Sequence, residues 1–467
     1  MRQRRDRRSG RRNSGACIAT VLMVAACASM SAQDTVRVTL QDAISMAGSR
    51  NIDLIRADYA LRSAQARIET AQGAFQPTLT FSGGPGARYQ FGTSPGLSAD
   101  QNHASETFSL GLSSAYTLYS GNADRAALAQ ARQLARASDV TIDRTGQTTL
   151  FAIVSAYYQV ATARELIGVA RENLDAERHQ LEQVHAFTDA QTKPISDLYA
   201  QQATVAAAES QLIGAQRDFD VAKLGVVQLL RLSPMANYDF PTPEAQAPSD
   251  LLQANDSALV ERAISQRPDI VAERARIDAA REEIRVAEAG NAPTVGVSAS
   301  FGSNFNSSDA SSTFGSQLFS QNPSAGVGIT LSVPLFDRDR TKAATELAQI
   351  DYQNELLTMS DLRLQTSLAV RQARLDVVAA QAQLEATTRQ LESSRLAVDV
   401  EQSRYSSGIS TLTELSLARA RYVAAEGQEV QARNTVEIRR ASLLLAIGTL
   451  TIPRAQPLPP TPEEIGH

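Results

Sequence analysis

Residues 153–181 read IVSAYYQVATARELIGVARENLDAERHQL, and residues 370–398 read VRQARLDVVAAQAQLEATTRQLESSRLAV. In the first stretch Ile153, Val160, Ile167, Leu174 and Leu181 fall on every seventh position. In the second, Val370, Val377, Leu384, Leu391 and Val398 do the same. A seven-residue apolar period returns to one helix face every two turns, so each stretch predicts a long helix with a coiled-coil seam. The two ladders stand 217 positions apart, 370 against 153.

The same displacement carries Gly111 and Leu118 to Gly328 and Leu335, and Ala126, Ala127 and Ala131 to Ala343, Ala344 and Ala348. Nearer the N-terminus it is 216: Asp53, Ala64, Ile68, Ala71 and Pro77 return as Asp269, Ala280, Ile284, Ala287 and Pro293. Two copies of one structural unit therefore fill residues 36–232 and 258–450. Residues 233–257, with Pro234, Pro241, Pro243 and Pro248, form a linker or a small irregular belt. The tail 451–467 is also rich in proline.

Each copy predicts helix, strand, strand, long helix, turn, shorter helix. The first helix is expected over Leu40–Phe75 and closed by Gln76-Pro77. Phe108, Leu110, Leu112, Tyr116 and Leu118 then alternate with small or polar residues. In the second copy Val295, Val297, Ala299 and Phe301 alternate likewise, as do Val327, Ile329, Leu331, Val333 and Leu335. Period-two alternation over about ten residues, apolar on one face and small-polar on the other, fits a transmembrane β-strand. It also fits a half-buried strand of a soluble sheet. The joining segments Gly92–Glu106 and Ser303–Pro323, rich in Gly, Ser and Asn, read as exposed loops. The long helices are expected at Asn122–Phe187 and Arg340–Tyr405, each approaching roughly 100 Å. After turns at Thr188–Pro194 and Ser406–Thr411, shorter helices return over Ile195–Leu232 and Leu412–Ile447. Two short helices set end to end would match one long helix.

Met1–Arg12 holds seven arginines, and an apolar run follows from Ala16 to Ala28. It is too short to span a bilayer and reads, with its small-residue flank, as a secretory signal over residues 1–32. Val24-Ala25-Ala26-Cys27 also resembles a bacterial lipobox, which would leave Cys27 lipidated; the alternative is an ordinary small residue of the signal. Both cysteines, Cys17 and Cys27, lie in this segment, so no internal disulfide or thiolate metal site is expected beyond it. Losing the segment, with seven Arg and one Asp, takes the formal charge from −5 to −11. That is a poor charge for nucleic-acid binding. His103, His179, His185 and His467 have no metal-ligand spacing, and no phosphate loop or nucleophile elbow is present. No cofactor and no enzymatic activity are expected.

Four membrane strands cannot close a barrel, because about eight is the smallest number seen. Open edges in lipid would leave backbone groups unpaired, so such a chain must oligomerise. A trimer would supply twelve strands and a lumen continuous with a cylinder of helices.

The chain resembles the TolC-type outer membrane efflux proteins over Val36–Leu450. The resemblance is carried by Leu40-Gln-Asp-Ala-Ile44 with Asn51-Ile-Asp-Leu54, by Ala263-Ile264 with Arg267-Pro-Asp-Ile270, and by Pro77 and Pro293. Leu118-Tyr119-Ser-Gly121, Pro334-Leu-Phe-Asp337, Tyr405-Ser-Ser-Gly408 and Leu412–Ala418 complete it. It implies an α+β membrane protein: coiled-coil hairpins forming a periplasmic α-barrel, and four strands per chain in a trimeric, twelve-stranded outer-membrane β-barrel. It implies an exit duct for efflux or type I secretion, served by a periplasmic adaptor and an inner-membrane transporter. An adaptor-like structural protein is the alternative, although an adaptor normally has one hairpin. At the second hairpin tip Gly408 and Glu414 match the family's Gly and first acid, whereas Ser410 replaces a basic residue and Leu417 a second acid. At the first tip Asp197 matches, Gln191 stands where a Gly is common, and Lys193 and Pro194 depart from the pattern. Three copies of Glu414 would make an acidic ring at a gate with raised carboxyl pKa values. Glu414 and Asp197 are alternatively ordinary helix-start acids favoured by the dipole.

Overall fold

The computed structural model describes residues 35–90, 103–243, 255–309 and 312–450. The expected signal segment with Cys27, the proline-rich tail and residues 244–254 of the linker lie outside the described residues. The chain runs β1 (Val36–Arg37), α1 (Leu40–Arg50), α2 (Ile52–Gly73), β2 (Thr78–Gln90), β3 (His103–Ser120), α3 (Ala123–Asp189), α4 (Ile195–Leu230) and β4 (Tyr238–Asp239). It continues α5 (Asp256–Gln266), α6 (Pro268–Glu288), β5 (Thr294–Asn306), a helical turn α7 (Phe314–Ser316), β6 (Ser324–Ser332), α8 (Arg340–Ser406) and α9 (Leu412–Ile447). The long helices α3 and α8 each have 67 residues, and the returning helices α4 and α9 each have 36. The start of the linker docks on the N-terminal segment, where β4 pairs in parallel with β1.

The single first helix expected over Leu40–Phe75 is two helices. Asn51 is extended, donates its backbone amide to Ala47 O at the end of α1, and caps α2 by accepting on its side chain from the amides of Asp53 and Leu54. In the second copy Arg267 breaks α5 from α6 with the same extended backbone, as the residue before Pro268 must. These breaks let α1 and α5 turn aside and pack across α3–α4 and α8–α9. Val38, Ala43, Ala47, Ile153, Tyr157, Val160, Val226, Leu230 and Phe240 form one core there, and Leu259, Ala263, Val370, Val377, Leu443 and Ile447 the other. The upper rungs of both heptad ladders thus belong to globular cores, while Ile167, Leu181, Leu384, Leu391 and Val398 farther along are only half-buried.

The helices form one layer in which short helices meet end to end beside long ones. At one junction the Asn51 side-chain amide donates to Leu229 O at 3.4 Å, where α2 starts and α4 ends. At the other, Arg267 donates to Ala446 O at 3.2 Å, where α6 starts and α9 ends. From α3, Arg144 reaches Leu445 O at 3.1 Å and Gln147 reaches Gly448 O at 2.8 Å. The carbonyls left free at the end of α9 are therefore paired by side chains inside the layer. The α6–α9 column lies between α3 and α8. Short helices do stack end to end beside a long one, but each returning helix meets α2 or α6 and not the other returning helix, because the breaks at Asn51 and Arg267 place new helix starts there.

Above the helices stands one antiparallel sheet of order β2-β3-β5-β6. β3 is longer than its alternating core suggested, and β6 is shorter, ending at Ser332 before Val333 and Leu335. Pro334 cannot donate to a ladder, which explains the early end. The second joining segment is not all loop. Phe314 stacks with Phe108 and Phe305 at 5.6 and 4.9 Å, and buried Gln317 accepts from Asn306 N at 2.9 Å.

Eight described residues have a left-handed backbone, and they form four pairs at the repeat displacement. Gly121 matches Arg338, Asn122 matches Asp339, Gln191 matches Gly408, and Arg231 matches Gly448. The duplication is thus one of backbone path, with glycine used at only some of the positions that favour it.

Gly448→Ala should be destabilising, because φ is +84° and a Cβ would lie 2.8 Å from Arg267 Cγ and 3.1 Å from its Cα. We expect a loss of about 2 kcal/mol or more, from left-handed strain plus the displaced Arg267. A thermal melt followed by helical circular dichroism measures it.

Candidate functional site

The hairpin tips close by the same device. Thr192 N donates to Phe187 O at 2.9 Å, and Ile409 N donates to Arg404 O at 2.9 Å, each across a left-handed residue. Gly408 fits that conformation without a Cβ; Gln191 adopts it with one. Both tips then pack on each other. Val184 and Phe187 of α3 and Leu198 of α4 meet Tyr405, Leu412 and Leu415 of the second hairpin. Tyr405 is fully buried, with Phe187 edge-on to its ring at 6.4 Å.

Lys193, a departure from the family pattern, lies with its Nζ 4.6 Å from the centre of the Tyr405 ring. A cation over an aromatic face joins the first turn to the second hairpin. Burial pushes the Tyr405 hydroxyl above its ordinary pKa, and the charge of Asp197 adds to that shift. The hydroxyl has no hydrogen-bond partner among the described residues, and neither does buried Ser410 Oγ. Glu414 has a different place. Its carboxylate accepts from Thr411 N at 2.8 Å and Thr411 Oγ1 at 3.1 Å, and its own amide donates to Thr411 Oγ1 at 3.3 Å. This is a capping box, and the bonds from Thr411 hold the carboxyl below its usual range within one chain. So Lys193 and Asp197 converge on Tyr405, Gly408 works through its backbone, and Glu414 serves its own helix start.

A polar clamp lies beyond the tips. Glu177 is buried and accepts from Gln201 Nε2 at 2.5 Å. Arg419 of α9 stands 3.8 Å from Glu177, donates to Ala176 O at 3.2 Å and Gln180 Oε1 at 3.2 Å, and reaches Gln402 Oε1 at 2.7 Å. One guanidinium thereby binds α3, α8 and α9, and α4 joins through Gln201. Sequence reasoning missed this clamp, since Arg419 sits among similar helix charges. A buried guanidinium must be matched by several acceptors, and only tertiary packing collects them.

At the other end the sheet has two chemically distinct faces. Phe81, Leu112 and Phe301 stand in register on one face, and Val297 pairs with Ile329 on that same side. On the opposite face Ser82, Gly111 and Gly302 stand in register, with Ser324 next to Gly302. Leu79, Phe81, Val327, Ile329 and Leu331 are exposed in the single chain. Strands of 9 to 18 residues are long enough to cross a hydrocarbon layer. Among the described residues no helix is long and apolar enough to cross a membrane, and no group of three or more His, Cys, Asp or Glu could hold a metal.

An amphipathic four-stranded sheet carried on paired helical hairpins defines the protomer of an outer-membrane channel. The solved outer-membrane protein VceC of Vibrio cholerae matches at a TM-score of 0.74 and 19% identity, over 88% of this chain and 96% of that one. The outer-membrane channel OprN matches at 0.75 and 24%, over 88% and 90%. The family model described as outer membrane efflux protein matches residues 43–230 and again 259–449, and the chain belongs to that family. The pyoverdine export outer membrane protein OpmQ of Pseudomonas aeruginosa is 28% identical over 85% of this chain and 81% of its own length. Protein CyaE of Bordetella pertussis is 28% identical over 84% and 80%. The protein is thus an outer-membrane efflux or secretion channel with a large periplasmic part.

Arg419→Ala should leave Glu177 buried without its cation and cost about 2–4 kcal/mol. The loss should appear as increased protease cleavage near the hairpin tips, with the sheet end unaffected.

Proposed function

We propose that three copies of this chain form a closed duct that passively carries substrate outward. A periplasmic adaptor would dock at the helical end, and an inner-membrane transporter would supply the energy. The duct itself catalyses nothing; its work is to enclose a path across the outer membrane. Either efflux of small molecules or type I secretion suits such a path, and relatives named for pyoverdine export and for alkaline protease secretion represent both.

The observation that carries the trimer is the unfilled half of the repeat. β3 of the first copy pairs with β5 of the second, whereas β6 and β2 have no further partner strand among the described residues. Mapping β3 onto β6 and β5 onto β2 by the repeat displacement turns Ala115↔Ser298 into Ser332↔Ser82 of a neighbour. Ser113↔Ser300 becomes Thr330↔Gly84 in the same way. Every residue so paired falls on the Gly/Ser/Thr face, so the apolar faces also coincide. Leu335 and Phe336, 94% and 83% exposed, correspond to Leu118 and Tyr119, of which Tyr119 is paired with β5. The outer side of α8 is likewise exposed at Ile350, Leu357, Leu364, Leu368 and Leu375, a helical stripe awaiting a neighbour.

We assign the periplasmic closure to the tips. Lys193 holds the first hairpin on Tyr405 of the second with Asp197 close by, Gly408 forms the turn, and Glu414 of each protomer contributes to an acidic ring. Carboxylates brought together in the trimer would oppose the downward pull of the cap on each Glu414.

Ser332→Cys with Ser82→Cys should give disulfide-linked trimers in outer-membrane vesicles, and Ser332→Cys with Thr78→Cys should not. Absence of any cross-link with both pairs would discard the register and the trimer derived from it. In planar bilayers Glu414→Gln should weaken cation preference and flatten its decline as pH falls through the carboxylate range. Unchanged selectivity and pH profile would remove Glu414 from the gate.

A further inference from the structure

α6 leads into β5 and α8 follows β6, so the two helices run antiparallel below one hairpin. They meet along an apolar seam in which Ile270 and Ile277 pack with Tyr352, Met359 and Leu362. Glu273 lies between the two isoleucines, three residues after one and four before the other, which puts it on the same helix face. Glu355 lies between Tyr352 and Met359 by the same spacing on α8. Each carboxyl therefore enters the seam at the same level.

Glu273 is 1% exposed. Its Oε2 accepts from Arg276 Nη1 at 3.0 Å, but its Oε1 is fully buried and meets no donor among the described residues. A buried carboxylate oxygen without a donor is unfavourable. The carboxyl of Glu355 comes within hydrogen-bonding reach of the Glu273 carboxyl from α8. Two ionised carboxylates cannot form that bond, since both are acceptors only. One proton between them makes Glu355 the donor and Glu273 Oε1 the acceptor, and leaves Glu273 paired with the cation of Arg276.

The surrounding charges fit this assignment. Asp351 of α8 adds negative charge, and Arg276 is the positive group facing the pair. α3 meets α6 through Ala137 and Val140 against Ala272 and Ala275, and its Arg144 engages Asp269 in the first turn of α6. Asp256 of α5 is taken by Arg371 and Arg374. The repeat supplies an internal control. The positions of Glu273 and Glu355 correspond to Ala57 and Ser138 in the first copy, where α2 packs on α3. The packing of the unit does not require acids, so this pair is a property of the second seam.

We propose that Glu273 and Glu355 hold one shared proton across the α6–α8 seam, making this seam a pH-sensitive contact below the sheet. The bond to Glu273 pushes the Glu355 carboxyl above its ordinary range; burial and the charge of Glu273 add to this, and Arg276 opposes it. A pKa raised by folding gives a stabilising contribution that is present at acid pH and lost as pH rises through the folded value. The seam is therefore tightest in mildly acidic surroundings and loosens toward alkaline pH. The inference concerns a contact within one chain and does not depend on the duct or the trimer.

The test uses the purified full-length protein in detergent, with thermal midpoints recorded from mildly acidic to alkaline pH. Glu355→Gln replaces the acid by an amide that donates to Glu273 without titrating. Its midpoint should match wild type at acid pH and exceed it at alkaline pH, so that the fall with pH shrinks. Infrared spectra at mildly acidic pH should lose one protonated-carboxyl band per chain in the variant. Wild-type pH dependence together with an unchanged band in Glu355→Gln would overturn the proposal. So would loss of wild-type stability on chelation with EDTA, which would mean a bridging cation in place of the proton. Glu273→Gln probes the buried partner; should it fail to fold, Glu355→Gln at its half-buried position still decides.

Discussion

Every peptide group that leaves water must find a partner, and that constraint organises both ends of this molecule. In the helical layer the critical groups are the ends of α4 and α9, buried against the starts of α2 and α6. Asn51, Arg144, Gln147 and Arg267 send side chains to those carbonyls. Short helices can stack end to end beside a long one only because these ends are paired. In the sheet the critical groups are the outer edges of β2 and β6. Side chains cannot pair a whole strand edge, and the proposed trimer meets that need with a second chain. One requirement thus gives a local solution at the helix junctions and, in the proposed trimer, an intermolecular one at the sheet.

The repeated unit is best defined by its backbone. Its left-handed residues recur as four pairs, although Gly occupies only one member of three pairs and neither member of the fourth. A left-handed non-glycine residue costs about 1–2 kcal/mol, small beside the packing of helices 67 residues long. The fold therefore keeps the turn and lets the side chain vary. The differences between copies are then informative. Gln191 and Lys193 face Gly408 and Ser410 across the tips, and Lys193 uses its position to reach Tyr405. Glu273 and Glu355 replace Ala57 and Ser138 in the equivalent seam. A chain built from two unlike copies has two kinds of seam, and chemistry can be placed in one kind without altering the other.

Much of the architecture was legible because it rests on periodicity. Alternation along β3, β5 and β6 marked the two sheet faces, and the heptads marked α3 and α8. The helix breaks were less so. Asn51 and Arg267-Pro268 were visible as motif residues, but that the chain changes direction there depends on cores that α1 and α5 help to form. The ends of β3 and β6 also escaped periodicity, since Pro334 and the pairing of β3 with β2 and β5 set them. At the tip, Lys193 reads in the sequence only as a departure from the family pattern, and Glu414 as an acid after a turn with either of two roles. The capping box selects one role within the chain. Tyr405 and Arg419 had no signal of their own, because a buried aromatic or guanidinium is defined by what surrounds it.

By itself the sequence determined the duplication, the lengths of the long helices and the two-faced strands. These follow from local spacing, which a one-dimensional pattern records completely. Only the tertiary structure decided which short helix stacks on which, that Lys193 covers Tyr405, that Arg419 meets Glu177, and that Glu273 faces Glu355. Those contacts join residues from different copies or distant helices, and their partners depend on the rotation of each helix about its axis. Apolar periodicity sets that rotation to within a face, whereas a hydrogen bond needs it to within a fraction of an ångström.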